Sequence, residues 1–253
     1  MAPLGTEVSR GPAIVRRSLA IFVAAALASL AGTRADRTAH AEPIFDAAAD
    51  FSLASNPNGV WSYGYSSVLG ASPTTYTFAT TVSDIASWSN GNGIWAPPWV
   101  GRNDTDQVVT FSSITLQPYQ MAFHPGSSGE YSVIRFTAPS AGVYALVSSF
   151  IGVDGTTTDV HVLHNGTSLF SGSINGYGDS DSYSTNVVLA TGDAIDFAVG
   201  YLTGGYSNDS TGISATLTPM TTVPEIDPVG ACTAMTLLAG IVTLIERRRK
   251  RAA

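Results

Sequence analysis

The middle of this chain is predicted to be all-β, an antiparallel β-sandwich, and three observations carry that expectation. Apolar residues alternate there with Ser, Thr and Asp at a period of two, which sets one face of each segment on a core and the other in water. Turn residues punctuate the pattern about every eight to twelve positions, among them Pro125-Gly126, Pro139 to Gly142 and Thr191-Gly192-Asp193, the spacing of short strands on tight connections. No stretch of the middle carries the 3.6-residue period of an amphipathic helix.

Taken in order, the chain opens on Arg10, Arg16 and Arg17, followed by the apolar run Ser18 to Ala31. A basic and then a hydrophobic region reads as a secretory signal peptide over residues 1–41, with Ala39-His40-Ala41 supplying the small-x-small cleavage pattern. Residues 42–222 are then the exported domain. Of twelve Lys and Arg, only Arg102 and Arg135 lie between Glu42 and Asp227, against sixteen carboxylates, a formal charge of −14 where the whole chain carries −7. Such a surface excludes nucleic acid as a partner, because phosphate binding is driven by Lys and Arg that release counterions. The single cysteine, Cys232, falls near the C-terminus, so the exported domain has no disulfide and must rest on a packed core.

Aromatic residues concentrate next. Trp61, Trp88, Trp95 and Trp99 are all the tryptophans of the chain, with Tyr63 and Tyr65 among them, and Ser89 to Trp99 is a loop rich in Gly, Pro and amides. Ring faces on a stiff loop with amide donors beside them suit stacking on sugar rings, so Trp88, Trp95, Trp99, Asn90 and Asn92 are the candidate glycan-binding residues. The competing expectation is that these rings cap the core of the sandwich.

The clearest strands are expected at Gln107 to Leu116, Tyr131 to Phe136, Val143 to Phe150, Asp159 to His164, Thr167 to Ile174, Tyr183 to Leu189, Ala194 to Gly200 and Gly212 to Thr218. Asn165-Gly166 between two of them predicts a hairpin, since this pair supplies the two positive φ angles of a type I′ turn. His161 and His164 stand three apart, so on a strand they point to opposite faces and share no metal. Calcium is the cofactor the loops allow: Asp179 and Asp181 form an alternating carboxylate pair, and Asp154, Asp159 and Asp209 sit near strand ends. From Tyr131 to Thr218, with Asp159 to Gly166 and Gly192 to Gly200 as its most similar parts, the chain resembles the jelly-roll carbohydrate-binding or galactose-binding-like modules of secreted bacterial proteins. That resemblance implies a sandwich of jelly-roll type.

Enzymatic signatures are missing. The exported domain has no G-x-S-x-G elbow, no H-E-x-x-H, no phosphate-binding glycine loop and no cysteine nucleophile. A carboxylate pair for glycoside hydrolysis leaves no mark in sequence, because its separation is spatial.

At the C-terminus Val223-Pro224-Glu225-Ile226-Asp227-Pro228 precedes an apolar run from Val229 to Ile245, and Glu246 precedes Arg247-Arg248-Arg249-Lys250-Arg251. As a helix the run would cover roughly 25 Å at about 1.5 Å per residue, near the lower limit for a membrane span, and the five cations would hold its end on the cytoplasmic side. Motif, span and basic stop, in that order at the very end, resemble the PEP-CTERM sorting signal, with Ile226 where the usual second proline stands and Pro228 displaced, as in planctomycete-like members. The resemblance implies export by the secretion machinery and recognition of Pro224-Glu225 by an exosortase-like membrane processing enzyme. The combined expectation is an exported, non-catalytic cell-surface or extracellular-matrix protein. The alternative is a carbohydrate-binding module for extracellular polysaccharide, and the second alternative a glycan-active enzyme.

Overall fold

In a computed structural model the described residues are 43–202, 204–220 and the backbone of 228–251, whose side chains are described from residue 239. The expected signal peptide and the sorting-motif residues Val223 to Asp227 lie outside them.

Among the described residues sixteen strands build the domain. In the larger sheet, sheet I, the order is β14 (Ser180–Leu189), β11 (Gly142–Gly152), β16 (Thr211–Met220), β9 (Met121–His124), β6 (Trp99–Asn103), β5 (Ile85–Ser89) and β4 (Phe78–Val82), and β1 (Phe45–Asp46) pairs with β16. Sheet II runs β13 (Thr167–Asn175), β12 (Thr157–His164), β15 (Ala194–Tyr201), β10 (Tyr131–Thr137), β2 (Trp61–Ser66) and β3 (Thr74–Thr75). A separate hairpin joins β7 (Val109–Phe111) to β8 (Ile114–Leu116). Every pairing is antiparallel. From β9 onward the chain changes sheet at each connection except the β12–β13 hairpin, the alternation of a jelly roll.

The two sheets face each other because their alternating residues leave each with one apolar side. Trp61, Ile134, Phe136, Val160, Val162, Phe197 and Val199 from sheet II meet Trp88, Val100, Phe123, Leu146, Phe150 and Leu217 from sheet I in one buried cluster. The polar ends of the two indoles are satisfied: Trp61 Nε1 donates to Asp50 Oδ2 at 3.0 Å and Trp88 Nε1 to the Ser52 carbonyl at 2.8 Å. With no disulfide in the described residues, this core holds the two sheets together.

A further layer lies outside sheet I. Ile85, Trp99 and Ala122 there are covered by Ile94, Val109, Ile114 and Leu116, so the β7–β8 hairpin and the loop before β6 bury a second apolar patch. On the outer face of sheet II, Leu69 and Tyr131 pack over Val133, Leu163 and Ala198.

Seven of the eight expected strands from Gln107 onward are recovered, and one is corrected. Gln107 to Leu116 is not a single strand but the hairpin β7–β8, turned at Ser112, whose φ is +55°. The Asn165-Gly166 turn has the two positive φ angles expected of it, 49° and 79°. Past the sandwich, α1 (Pro228–Arg251) is a 24-residue helix ending in Arg248, Arg249, Lys250 and Arg251, with Ile241, Val242, Leu244 and Ile245 exposed. Among the described residues no helix is long and apolar enough to cross a membrane; the side chains of residues 228–238, the first half of the expected span, lie outside that description.

Candidate functional site

The loop between β5 and β6 is set from its own sequence. Ser89 Oγ accepts the backbone N–H groups of Gly91 and Gly93, at 3.3 and 2.8 Å, which bends the chain into a 3₁₀ turn over Gly93–Trp95. Gly93 takes a φ of +62°, and a β-carbon there would collide with the Thr80 methyl of β4, so the position favours glycine. The turn sends neighbouring residues opposite ways. Ile94 is buried in the outer patch of sheet I, while Trp95 is 68% exposed.

That exposed indole is held from one side. The Phe111 ring of β7 meets it edge to face, with centroids 4.5 Å apart and planes at 77°, a favoured aromatic geometry. Phe111 is itself fixed because Asn103, fully buried at the end of β6, holds the hairpin: its Nδ2 donates to the carbonyls of Gln107 at 2.7 Å and Gln117 at 3.0 Å, and its Oδ1 accepts from Thr105 N and Oγ1. Two residues beyond Phe111, Ser113 Oγ donates to Asn208 Oδ1 at 3.1 Å, which brings an amide from the β15–β16 loop to the same hairpin. A rigid aromatic plate with an amide and hydroxyls nearby can stack on an apolar sugar face and bond its hydroxyls.

The other candidate residues divide. Asn90 and Asn92 are exposed on the same loop, Asn90 Nδ2 donating to Tyr65 Oη at 3.4 Å. Trp88 and Trp99 are corrected to core residues: at 6% and 1% exposure their rings face the main core and the outer patch, and neither offers a face to a ligand. Asp179 and Asp181 do not converge. Asp179 accepts from Asn175 N and Ser180 N, and Asp181 from Ser182 N, so both cap local turns. Among the described residues no group of three or more His, Cys, Asp and Glu gathers as a metal set.

His161 and His164 serve separate clusters, as their spacing required. His164 Nε2 lies 3.1 Å from Asp193 Oδ2; Asn165 and Ala190 N also donate to Asp193, and these bonds hold its carboxyl down at about 2. On the outer face of sheet II, His161 Nε2 lies 2.7 Å from Asp159 Oδ2, which also accepts from Tyr131 Oη at 3.2 Å. Burial pushes the Asp159 carboxyl up, but the bond and charge of His161 and the Tyr131 hydroxyl outweigh it and hold the group below its ordinary range. Burial, then the Asp159 charge, raise Tyr131. Gly200 makes room for this cluster, since a β-carbon there would press on Asp159 Oδ1 and the Tyr131 ring.

No family model matches the sequence, and no curated protein matches it. Among solved structures the chain is similar to a family 35 carbohydrate-binding module from Clostridium thermocellum, at 15% identity and TM-score 0.26 over 44% of this chain and 75% of that one. It is similar to CBM51 from Clostridium perfringens GH95 in complex with methyl-galactose, at 11% identity and TM-score 0.33 over 57% of this chain and 94% of that one. TmCBM61 in complex with β-1,4-galactotriose is a third, at 20% identity and TM-score 0.31 over 48% of this chain and 87% of that one.

Proposed function

We propose that the sandwich is a non-catalytic carbohydrate-binding module for extracellular polysaccharide, with Trp95 as its stacking platform and Asn90, Asn92 and Asn208 as the polar groups around it. The observation that carries this reading is the exposure of Trp95 on a turn braced by Phe111. A large ring left in water adds little to the stability of the fold, and a rigid aromatic limits the entropy a binding surface loses on contact. A glycan array on the purified protein tests it. Reproducible binding that Trp95→Ala abolishes, with the strand spectrum and melting temperature retained, is the expected result; binding unaffected by Trp95→Ala, or none at all, removes this site.

The same reading includes delivery. The protein is exported and sorted through residues 223–253, with α1 holding it at the membrane and Pro224-Glu225 presented to an exosortase-like enzyme. The exposed Ile241, Val242, Leu244 and Ile245 just before the cationic end support it, because apolar side chains on a helix seek an apolar surrounding. Deleting residues 229–253 should release soluble exported protein, and changing Pro224 and Glu225 to Ala should leave it membrane-bound and unprocessed in its own host. Identical processing of wild type and the Ala variant would leave a plain anchor.

A further inference from the structure

The layer outside sheet I stops part of the way across. It covers Ile85, Trp99 and Ala122 and reaches Ile151 of β11, and beyond that the outward side chains of β14, β11 and β16 are half-buried or exposed. The strand register sets these outward residues in rows. Val143 stands between Val188 and Met220, and Val147 between Ser184 and Thr216. Every other outward position from Ser182 to Val188, Val143 to Ser149 and Ser214 to Met220 is Ala, Ser, Thr or Asn. Val188, Val147 and Met220 are 72%, 53% and 46% exposed, and Ile44, just before β1 on the far side of β16, is 64% exposed.

No carboxylate stands among those outward positions, although the domain carries a formal charge of −14. Asp46 borders the face opposite Thr216, and its Oδ1 accepts from Ala48 N and Ala49 N of its own turn. Two such domains repel each other wherever their carboxylates meet, and this face lets them approach without apposing any. It suits other partners poorly. It offers no cation to an anionic chain and no ring to stack on a sugar.

We infer that this face packs against the same face of a second copy of the chain, sheet on sheet about 10 Å apart, around a two-fold axis near Val147. β11 is the middle strand of the three, so the two Val147 side chains meet near the axis while Val143, Val188 and Met220 are covered. With β1 at its rim the patch measures roughly 20 Å across and about 25 Å along the strands, so a pair covers about 1,000 Å². That is the lower end for a specific complex, and the association is reversible.

Sedimentation of the full-length protein in detergent, from about 10 μM to about 1 mM, tests the pairing. Wild type should pass from monomer toward dimer, and more readily at high salt, which screens the repulsion between two acidic copies. Val147→Asp and Val147→Lys should each weaken the dimer at least about tenfold, since each sets like charges together at the axis. An equimolar mixture of the two variants should dimerise again, because opposite charges then meet. α1 is intact in every variant, so a dimer that survives Val147→Asp is made elsewhere and overturns the inference, as does a wild type that stays monomeric throughout. A mixture that stays monomeric overturns the two-fold packing. Should Val147→Asp fail to fold, Ser184→Asp, beside it on β14 and in water, decides: loss of the dimer supports the face, and an unchanged dimer overturns it.

Discussion

Arg135 of β10 and Asp196 of β15 stand directly opposite each other in the sheet and join through two parallel hydrogen bonds, Nε to Oδ1 at 2.6 Å and Nη2 to Oδ2 at 2.9 Å. Asp196 is 2% exposed, so this arginine is what keeps its charge tolerable. Arg135→Ala should cost about 3–5 kcal/mol in denaturant unfolding, since it strands a buried carboxylate. The double change Arg135→Met with Asp196→Leu should recover most of that loss. Additive losses in the double variant would mean that the two side chains contribute independently and that the stranded charge is not the cause of the loss.

Acid should weaken the fold through Asp159. Its folded-state pKa lies below the unfolded value of about 3.9, so its contribution is fully present above that value and is lost as pH falls through the depressed folded one. Melting temperature followed from pH 6 down to about pH 2 should therefore drop less steeply in Asp159→Asn than in wild type. Parallel curves would mean that the contacts with His161 and Tyr131 add nothing to stability.

Gly166 carries two constraints at once. Its φ of +79° resists any β-branched residue, and a β-carbon there would come within 2.5 Å of the Gly70 carbonyl. Gly166→Val should destabilise by at least about 2 kcal/mol, the left-handed conformation alone accounting for 1–2. Gly70, with φ +81° and its own would-be β-carbon 2.6 Å from the Gly166 carbonyl, should respond alike. A Gly166→Val protein of wild-type stability would mean that the two loops separate freely.

The tryptophans should divide by stability. Trp88→Ala and Trp99→Ala each empty a buried site and should cost about 3–5 kcal/mol, whereas Trp95→Ala, in water, should change stability by less than about 0.5 kcal/mol. Equal losses at all three would place the Trp95 ring in the core.

Most strands from Tyr131 onward were legible because they keep one wet face, as β11, β13, β14 and β16 do, while β15, buried along its six central residues, was legible from the Thr191-Gly192-Asp193 turn before it. Those of the first half were not, and their burial gives the reason: all five residues of β5 and all four of β9 are buried, since sheet I is covered on both sides there, and a segment dry on both faces shows no alternation. The same double cover decided the aromatic cluster. Trp88 and Trp99 sit on opposite faces of one sheet, both hidden, and sequence counts rings without saying what lies over them. Trp95 escaped by one position, because a 3₁₀ turn sends Ile94 inward. The turn at Ser112 carried no Gly or Asn to announce it, and Phe111 had no local signal as a brace. Asp154 and Asp209 were visible only as acids near strand ends, and their burial is a product of topology.

β16 is the one strand that joins the two parts of sheet I, pairing with β11 on one side and with β9 and β1 on the other, so that Phe45 lies opposite Leu217. Until residue 220 is in place, β11 with β14 and β9 with β6, β5 and β4 are two separate ribbons with open edges. Closure then depends on contacts between the far ends of the chain, the kind that form late and slowly. A truncation of only ten residues from Met220 would leave two sticky ribbons in place of a slightly smaller domain.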